Sequence, residues 1–600
     1  MNSDFSLVHV YDKLLALSSA TLGVFTLAEF MLALALLALA AFAPRWGSRR
    51  FDTVERLFGG LAHRPIRQVL AVGLLAIALR ALMLPWMGIA EASVADETSI
   101  LLQAQTFAAG RLANPTHPFW EHFETFYVNQ VPAYASMYFP GRGAPLAAGL
   151  LLAQNAWVGV WMSMVLMCMA ATWMLQGWVV LPMALLGGIL VTLRLGVFSF
   201  WVNSYYGGAF IALGAMLVIG ALPRILQAPR WRHGLLMGLG MVILMTSRPY
   251  EGFLLCFPVA LALLLHLIRS RWQHVRLALV RVALPAVLMV GAGGGLLLAY
   301  NQATTGQPLK AAYQLNRETY ASVPAFLISP PLKSLHQGPA YFQDYFAMEG
   351  ANYGLRKSPL LWLRSGVAKL FHTWNFYIGA IFSAAFFAGL WSCRRDPFLL
   401  GTTAFFMGGY FLETWNFPQY TAPLFPLLLI FMMRGFEWLR ARDPVRNPAG
   451  LFLARAMPVA ALLMLALPAT SFIFGSPSMG VNATQTVCCT TSDKLRPALR
   501  QMLLDSPGRD LVLVKSGPNN PLGYEMVNNE PDIDKADIVW AHRLGTEKDN
   551  RLRQYFDDRR VWEFEWLPAD NKDKPGIDGH QPYRLTLLDP EFQKSKPGQP

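Results

Sequence analysis

The sequence predicts a mainly α-helical, polytopic membrane protein with large outward loops and a small C-terminal α/β domain. Three observations predict it. Of 600 residues, 54% are hydrophobic and only 14% charged, whereas soluble domains carry about 25% charged residues. Apolar runs recur along most of the chain, about twelve in all, and many approach the ~20 residues that a helix needs to cross a bilayer. Arginines crowd alternate connections between those runs, the signature of a fixed orientation in the membrane.

The apolar runs are Leu14 to Ala43, Val69 to Ile89, Trp157 to Leu175, Val179 to Phe198, Gly208 to Leu222, Leu235 to Thr246, Phe253 to Ile268, Leu277 to Tyr300, Trp374 to Trp391, Phe398 to Leu412, Tyr420 to Met433 and Leu451 to Phe474. Arg45, Arg49, Arg50, Arg56, Arg64 and Arg67 fill the first connection. Later ones hold Arg224, Arg230 and Arg232, then Arg269, Arg271 and Arg276, then Arg394 and Arg395, then Arg434, Arg440, Arg442 and Arg446. With alternating spans all of these fall on one side, which the positive-inside rule makes the cytoplasm. The formal charge of +13 is largely accounted for by these loops and calls for no nucleic-acid partner.

Domain organisation follows from composition. Residues 1–67 read as a retained signal-anchor helix and a basic cytoplasmic loop, because the first apolar run is too long for a cleavable signal and Asp4 and Asp12 precede it. Residues 68–474 form the membrane domain, including outer loops 90–143 and 301–372. Small and polar residues make 475–492 a linker. In 493–600, short apolar strands at Leu511 to Val514, Ile538 to Trp540, Val561 to Trp566 and Tyr583 to Leu588 alternate with helical stretches at Lys494 to Leu504 and Lys548 to Phe556, an α/β pattern. Ser358 to Phe371 has the spacing of an amphipathic helix lying in the membrane interface. Of five cysteines, Cys168, Cys256 and Cys393 sit in or beside apolar runs, while the adjacent Cys488 and Cys489 read either as a vicinal disulfide or as two thiols.

Candidate chemistry gathers in the outer blocks. Asp96 and Glu97 follow the second apolar run, where one carboxylate can accept a proton and its neighbour can bind a cation or orient the site; a solvated acidic loop reads equally well. Arg248, in Ser247-Arg-Pro-Tyr-Glu251, lies where one run ends and the next begins, and its guanidinium can grip a phosphate or pair with Glu251 to hold a helical hairpin. Arg80 and Arg194 are charges within apolar runs, which commonly face a cavity or a partner; snorkelling to headgroups serves Arg194 too. Glu29 has no partner evident in sequence. His117, His122, Glu121 and Glu124 include donor types suited to a divalent cation, although ordinary loop hydrogen bonding explains them as well. Tyr138 and Arg142 lie in Tyr-Phe-Pro-Gly-Arg-Gly143. Asn203, Tyr205 and Tyr206, then Trp415, Asn416, Gln419 and Tyr420, offer the amides and rings of a sugar site, or of an interfacial aromatic belt.

Asp96-Glu97, the stretch Phe107-Ala-Ala-Gly-Arg-Leu-Ala-Asn-Pro-Thr-His-Pro118, Tyr138-Phe-Pro-Gly-Arg-Gly143, Asn203-Ser-Tyr-Tyr-Gly-Gly208 and Ser247-Arg-Pro-Tyr-Glu251 together resemble a bacterial GT-C glycosyltransferase. The resemblance is to the family 39-like branch, related to protein O-mannosyltransferases and aminoarabinose transferases, and covers most of a GT-C-like membrane domain. It implies a polyprenyl-phosphate sugar donor and transfer at the outer face of the inner membrane, with the C-terminal domain periplasmic. It further implies Asp96 and Glu97 as the catalytic pair, Asp96 as base and Glu97 supporting the donor phosphate through a divalent cation. Arg248, Arg80 and Glu251 are the expected donor-phosphate group. His117, His122, Glu124, Tyr138, Arg142, Asn203, Tyr205, Tyr206, Gln419 and Tyr420 are the expected substrate-binding set, and Glu97, His117 and His122 the expected metal ligands. Ala95 and Gln419 depart from the family pattern, which often has histidine at both. The expected partners are a polyprenyl-phosphate-linked sugar, the lipid bilayer, and an acceptor glycan, lipid or protein. The rival class is a multispan transporter or a flippase for lipid-linked glycans, which places its polar residues near the midplane rather than in outer loops.

Overall fold

The computed structural model describes residues 23–269, 275–336, 338–356, 358–441, 448–474, 486–489, 495–517, 519–521, 524–568 and 582–588. The start of the first expected span, most of the linker 475–492, and Lys494, Arg271, Arg442 and Arg446 lie outside the described residues. The chain divides into two compact units. The first comprises Met1–Ala90, Trp157–Gly295 and Arg356–Thr490; the second comprises Glu91–Ala156, Leu296–Leu355 and Thr491–Pro600. The outer loops expected to belong with the membrane domain therefore group, as far as Leu355, with the C-terminal segment.

A helix stands at each of the twelve apolar runs. Among the described residues, eight are long and apolar enough to cross a membrane: Phe25–Phe42, Pro65–Met87, Ala156–Leu175, Gly208–Gln227, Pro249–Arg269, Val275–Thr305, Ala422–Ala441 and Pro448–Ile473. A ninth run is a pair, Pro359–Tyr377 and Gly379–Ser392, bent by 100°. The other three are the shorter helices Leu181–Leu195, Trp231–Ser247 and Pro397–Phe411, each less than the ~20 residues needed to span the hydrocarbon alone.

The bent pair gives two isolated charges their purpose. At the bend Gly379 adopts φ 67°, a conformation costly for any residue with a Cβ. A Cβ there would also land on the Glu29 carboxylate and the Arg194 guanidinium. Arg194 Nε donates to the Phe376 carbonyl at 2.9 Å, another of its nitrogens donates to the Asn375 carbonyl, and Nη1 pairs with Glu29 at 3.0 Å. The two carbonyls end the helix Pro359–Tyr377, where intrahelical donors run out and the dipole favours a cation. Glu29 therefore has a partner after all, and Arg194 seals a helix break. A helix is present over the expected stretch Ser358 to Phe371, running from Pro359 to Tyr377. Beyond the bend, Gly379–Ser392 approaches Ala422–Ala441 closely: a Cβ on Gly389 would meet the Phe431 carbonyl, and one on Gly435 the Ala385 carbonyl. Small residues permit this backbone contact, as is usual between helices in lipid.

The second unit carries all the described strands. Β-strands β1 (Asn114–Pro115), β2 (Val128–Asn129) and β3 (Ala133–Ser136) make a small antiparallel sheet in the order β1-β3-β2. In the C-terminal segment β4 (Arg509–Lys515), β5 (Ile538–His542), β6 (Arg559–Trp566) and β7 (Tyr583–Leu587) pair in the order β5-β4-β6-β7. β4 runs parallel to β5 and β6, and β7 is antiparallel to β6. All four strands and the helices Leu495–Leu504 and Thr546–Tyr555 fall where composition places them. One buried cluster joins Leu102, Phe123, Val128 and Tyr134 of the first outer block with Leu511, Leu513, Val539 and Leu552 of the C-terminal segment. The C-terminal segment thus shares a core with the acid-bearing block.

Cys488 and Cys489 are joined in the vicinal disulfide, and the Cys488 amide donates to the Phe198 carbonyl at 2.9 Å.

Candidate active site

Asp96 and Glu97 occupy the first turn of the helix Ala95–Ala108, where acidic side chains complement the dipole. The turn separates them. Glu97 is 3% exposed and folds back on its own helix start: its Oε2 accepts from the Ser93 amide at 2.9 Å, the Ser93 hydroxyl at 3.1 Å and the Val94 amide at 3.4 Å. That is the returning half of a capping box. Glu97, expected as donor-phosphate support and cation ligand, is thus engaged as a helix cap. Asp96 is only half-buried and accepts a hydrogen bond from the Tyr138 hydroxyl.

The helix holds the segment that brings Tyr138 there. Along one face, at helical spacing, the Ser99 hydroxyl contacts the Tyr127 carbonyl at 2.7 Å and the Ser136 hydroxyl at 2.8 Å. One turn on, the Gln103 amide donates to the Tyr138 carbonyl and the Tyr300 hydroxyl, both at 2.7 Å, and accepts from the Gly143 amide at 2.8 Å. Arg142 lies over the Tyr138 ring, 4.7 Å from its centroid. Tyr138 and Arg142, expected to touch substrate, here build the support beneath Asp96.

Four residues that the motifs did not single out complete the surroundings. Tyr127 sits in the left-handed backbone region at φ 63°, uncommon for an aromatic residue, and its hydroxyl meets that of Tyr345 at 2.6 Å. Arg317 binds Glu349 through two nitrogens, at 3.3 and 2.7 Å. Burial, and then the Asp96 charge, hold the Tyr127 phenol well above its usual range. Burial also raises the Glu349 carboxyl, against the pull of Arg317. No sequence pattern links these residues: Tyr127 and Tyr345 are 218 positions apart.

The histidine cluster disperses. His117 Nδ1 accepts from the Phe119 amide at 3.0 Å, which leaves Nε2 as the donor to Asp534 at 3.1 Å. His122 Nδ1 donates to the His542 carbonyl at 2.7 Å, and His542 Nε2 donates to the Glu124 carbonyl at 2.8 Å. Glu124 accepts from the Tyr320 hydroxyl at 2.9 Å and lies 2.8 Å from His336 Nε2. Burial lowers His122 and raises Glu124. These side chains tie the first outer block to the C-terminal segment. Among the described residues no group of three or more His, Cys, Asp or Glu is arranged to hold a metal ion. Glu97, His117 and His122 do not fit a divalent cation, being committed to a helix cap, an aspartate and a backbone carbonyl.

In the first unit Arg248 stands between the helices Trp231–Ser247 and Pro249–Arg269. It pairs with Glu251 at 2.8 Å and lies 3.5 Å from the centroid of the Tyr420 ring. The pairing that holds the helical hairpin is therefore present. Arg80 is fully buried and serves the protein itself: it donates to the Gly88 carbonyl at 3.0 Å and to Asn203 Oδ1 at 3.2 Å, and stacks on Trp157. Asn203 in turn donates to the carbonyls of Val197 and Ser199, and Tyr205 to that of Ala90 at 2.9 Å. Tyr206 packs on Phe200 and Phe417. Arg80, on the helix Pro65–Met87, and Asn203, Tyr205 and Tyr206, in the loop before Gly208–Gln227, are thus packed within the first unit. Gln419 is 1% exposed.

No family model and no curated protein matches the sequence. Among solved structures the chain is similar to ArnT from Cupriavidus metallidurans in the apo state, with 12% identity, a TM-score of 0.46, and coverage of 82% of this chain and 92% of that one. The same figures hold for ArnT bound to undecaprenyl phosphate. It is also similar to the Archaeoglobus fulgidus oligosaccharyltransferase in complex with Zn and sulfate, with 11% identity, a TM-score of 0.43, and coverage of 83% and 68%. Both are GT-C glycosyltransferases.

Proposed function

We propose that the chain is a membrane glycosyltransferase that moves a sugar from a polyprenyl-phosphate donor to an acceptor hydroxyl at the outer face of the inner membrane. The observation that carries this reading is the division of the tandem acids: Glu97 caps its own helix, while Asp96 is half-buried and oriented by Tyr138. A carboxylate so placed suits a general base. The motif resemblance and the long apolar helices support the lipid-linked donor.

In the proposed reaction the acceptor oxygen attacks the anomeric carbon as its proton passes to Asp96. The bond from that carbon to the phosphate oxygen breaks, the lipid phosphate departs as the anion, and in-line displacement inverts the anomeric centre. Arg248 is the proposed ligand of the donor's lipid phosphate, which a guanidinium can grip through two hydrogen bonds.

The test is transfer of radiolabelled sugar from polyprenyl-phosphate donors by the purified protein in proteoliposomes, with the product's anomeric configuration determined. An inverted product formed together with free polyprenyl phosphate supports the reading. Retained configuration, or solute uptake without transfer, refutes it.

A further inference from the structure

The Arg248 cluster contains a buried carboxylate that the proposed reaction does not use. Glu413 follows the helix Pro397–Phe411, is 4% exposed, and neither of its oxygens has a hydrogen-bond partner among the described residues. An ionised carboxylate left that way is costly, and the neutral acid much less so. Among the described residues, charged and titratable groups from several elements face it. Arg248 and Glu251 come from the helix junction, Lys369 from the helix Pro359–Tyr377, and Tyr410 from its own helix; Tyr250 belongs to Pro249–Arg269, and Tyr420 lies under Arg248. The Lys369 ammonium donates to the backbone carbonyls of Tyr410 at 2.9 Å and of Glu413 itself at 2.6 Å.

The charge count of the cluster therefore depends on one proton. With Glu413 ionised, two cations face two carboxylates and the cluster is neutral. With Glu413 protonated, Arg248 and Lys369 face Glu251 alone and the cluster is positive by one. Burial, and then the Glu251 charge, push the Glu413 carboxyl well above the usual carboxylate range, against Arg248 and Lys369.

We propose that Glu413 is a proton-linked gate on phosphate binding at Arg248: the carboxyl takes up a proton as a lipid phosphate ester binds, and releases it as the phosphate leaves. This rests on Arg248 as the donor-phosphate cation. Linkage makes the coupling reciprocal: protonation tightens phosphate binding by the same factor by which bound phosphate favours protonation. For one proton, affinity changes by at most about tenfold per pH unit within the coupled window.

The experiment measures binding of a polyprenyl monophosphate to the full-length protein in nanodiscs between pH 5.5 and 8.5. It uses wild type, Glu413→Gln and Arg248→Ala, with inorganic phosphate and phosphatidic acid as parallel ligands. The glutamine keeps the shape and neutrality of the protonated acid, and both variants see the ligand's own ionisation, so the ratio of their dissociation constants isolates Glu413. Wild type and Glu413→Gln are expected to bind alike at low pH, with wild type falling tenfold or more behind at high pH. A ratio that stays constant with pH overturns the gate. Strong binding of inorganic phosphate or phosphatidic acid with the same ratio would assign the site to phosphate at large rather than to the polyprenyl ester. Binding that Arg248→Ala leaves intact, or that no variant shows, overturns the phosphate role of Arg248, and the gate falls with it; a constant ratio with binding lost in Arg248→Ala overturns the gate alone.

Discussion

The hydroxyl of Tyr138 donates to the carboxylate of Asp96, across 42 residues of chain, and the Tyr138 backbone carbonyl is held by Gln103 on the same helix that carries Asp96. A hydrogen bond to a charged group contributes about 1.5–3 kcal/mol. Tyr138→Phe keeps the ring beneath Arg142 but removes the donor. It is expected to lower kcat by about tenfold to a hundredfold with the melting temperature little changed, as steady-state kinetics and thermal unfolding will show. Equal loss in folding and rate would make Tyr138 a packing residue only.

Arg194 and Glu29 are a charge pair whose side chains are 11% and 2% exposed. Arg194→Met leaves a buried carboxylate unpaired and two helix-end carbonyls without a donor. A loss of about 3 kcal/mol is expected, in line with other broken buried pairs. Adding Glu29→Gln should restore part of it, because the charge is no longer stranded. Melting temperatures of the two single variants and the double variant test this, and strict additivity would argue against the pairing.

The second unit is expected to lose stability as pH rises past neutrality. Burial raises the Glu525 carboxyl to about 8 and lowers His542 to about 4. Between the ordinary histidine value near 6.5 and pH about 8, the folded state keeps the Glu525 proton and the unfolded state does not, so stability falls with pH. The slope is about 1.4 kcal/mol per pH unit. Below that window the histidine acts in the opposite sense: its stability contribution is present above about 6.5 and lost as pH falls through about 4. Hydrogen exchange of the Ile538–His542 strand should therefore accelerate from pH 6.5 to 8 beyond the intrinsic base-catalysed trend, and Glu525→Gln should remove the excess.

What the sequence made legible was periodic or local. Apolar runs located a helix at every expected place, including the short Leu181–Leu195, because a run of side chains that avoids water needs no knowledge of its partners. The strand from Arg509 to Lys515 was legible for the same reason. The acid pair was visible, but its division of labour was not: Glu97 is a cap only because the helix starts at Ala95, a boundary inside a polar block without strong periodicity. Arg194 with Glu29, 165 residues apart, and Arg317 with Glu349, both outside the motifs, depend on tertiary approach that spacing does not encode. Glu413 carries no signal in the sequence, because a lone acid beyond an apolar run has the pattern of an ordinary loop residue and only tertiary packing buries it.

The most direct measurement compares Asp96→Asn with Glu97→Gln in sugar transfer from a polyprenyl-phosphate donor, at matched expression. A positioned base contributes about 10²–10⁴-fold, so Asp96→Asn should lose that much, while Glu97→Gln, which still offers an oxygen to the helix start, should stay within about tenfold of wild type. Transfer that survives Asp96→Asn but is abolished in Glu97→Gln, with the helix intact, would contradict the assignment of Asp96 as the base.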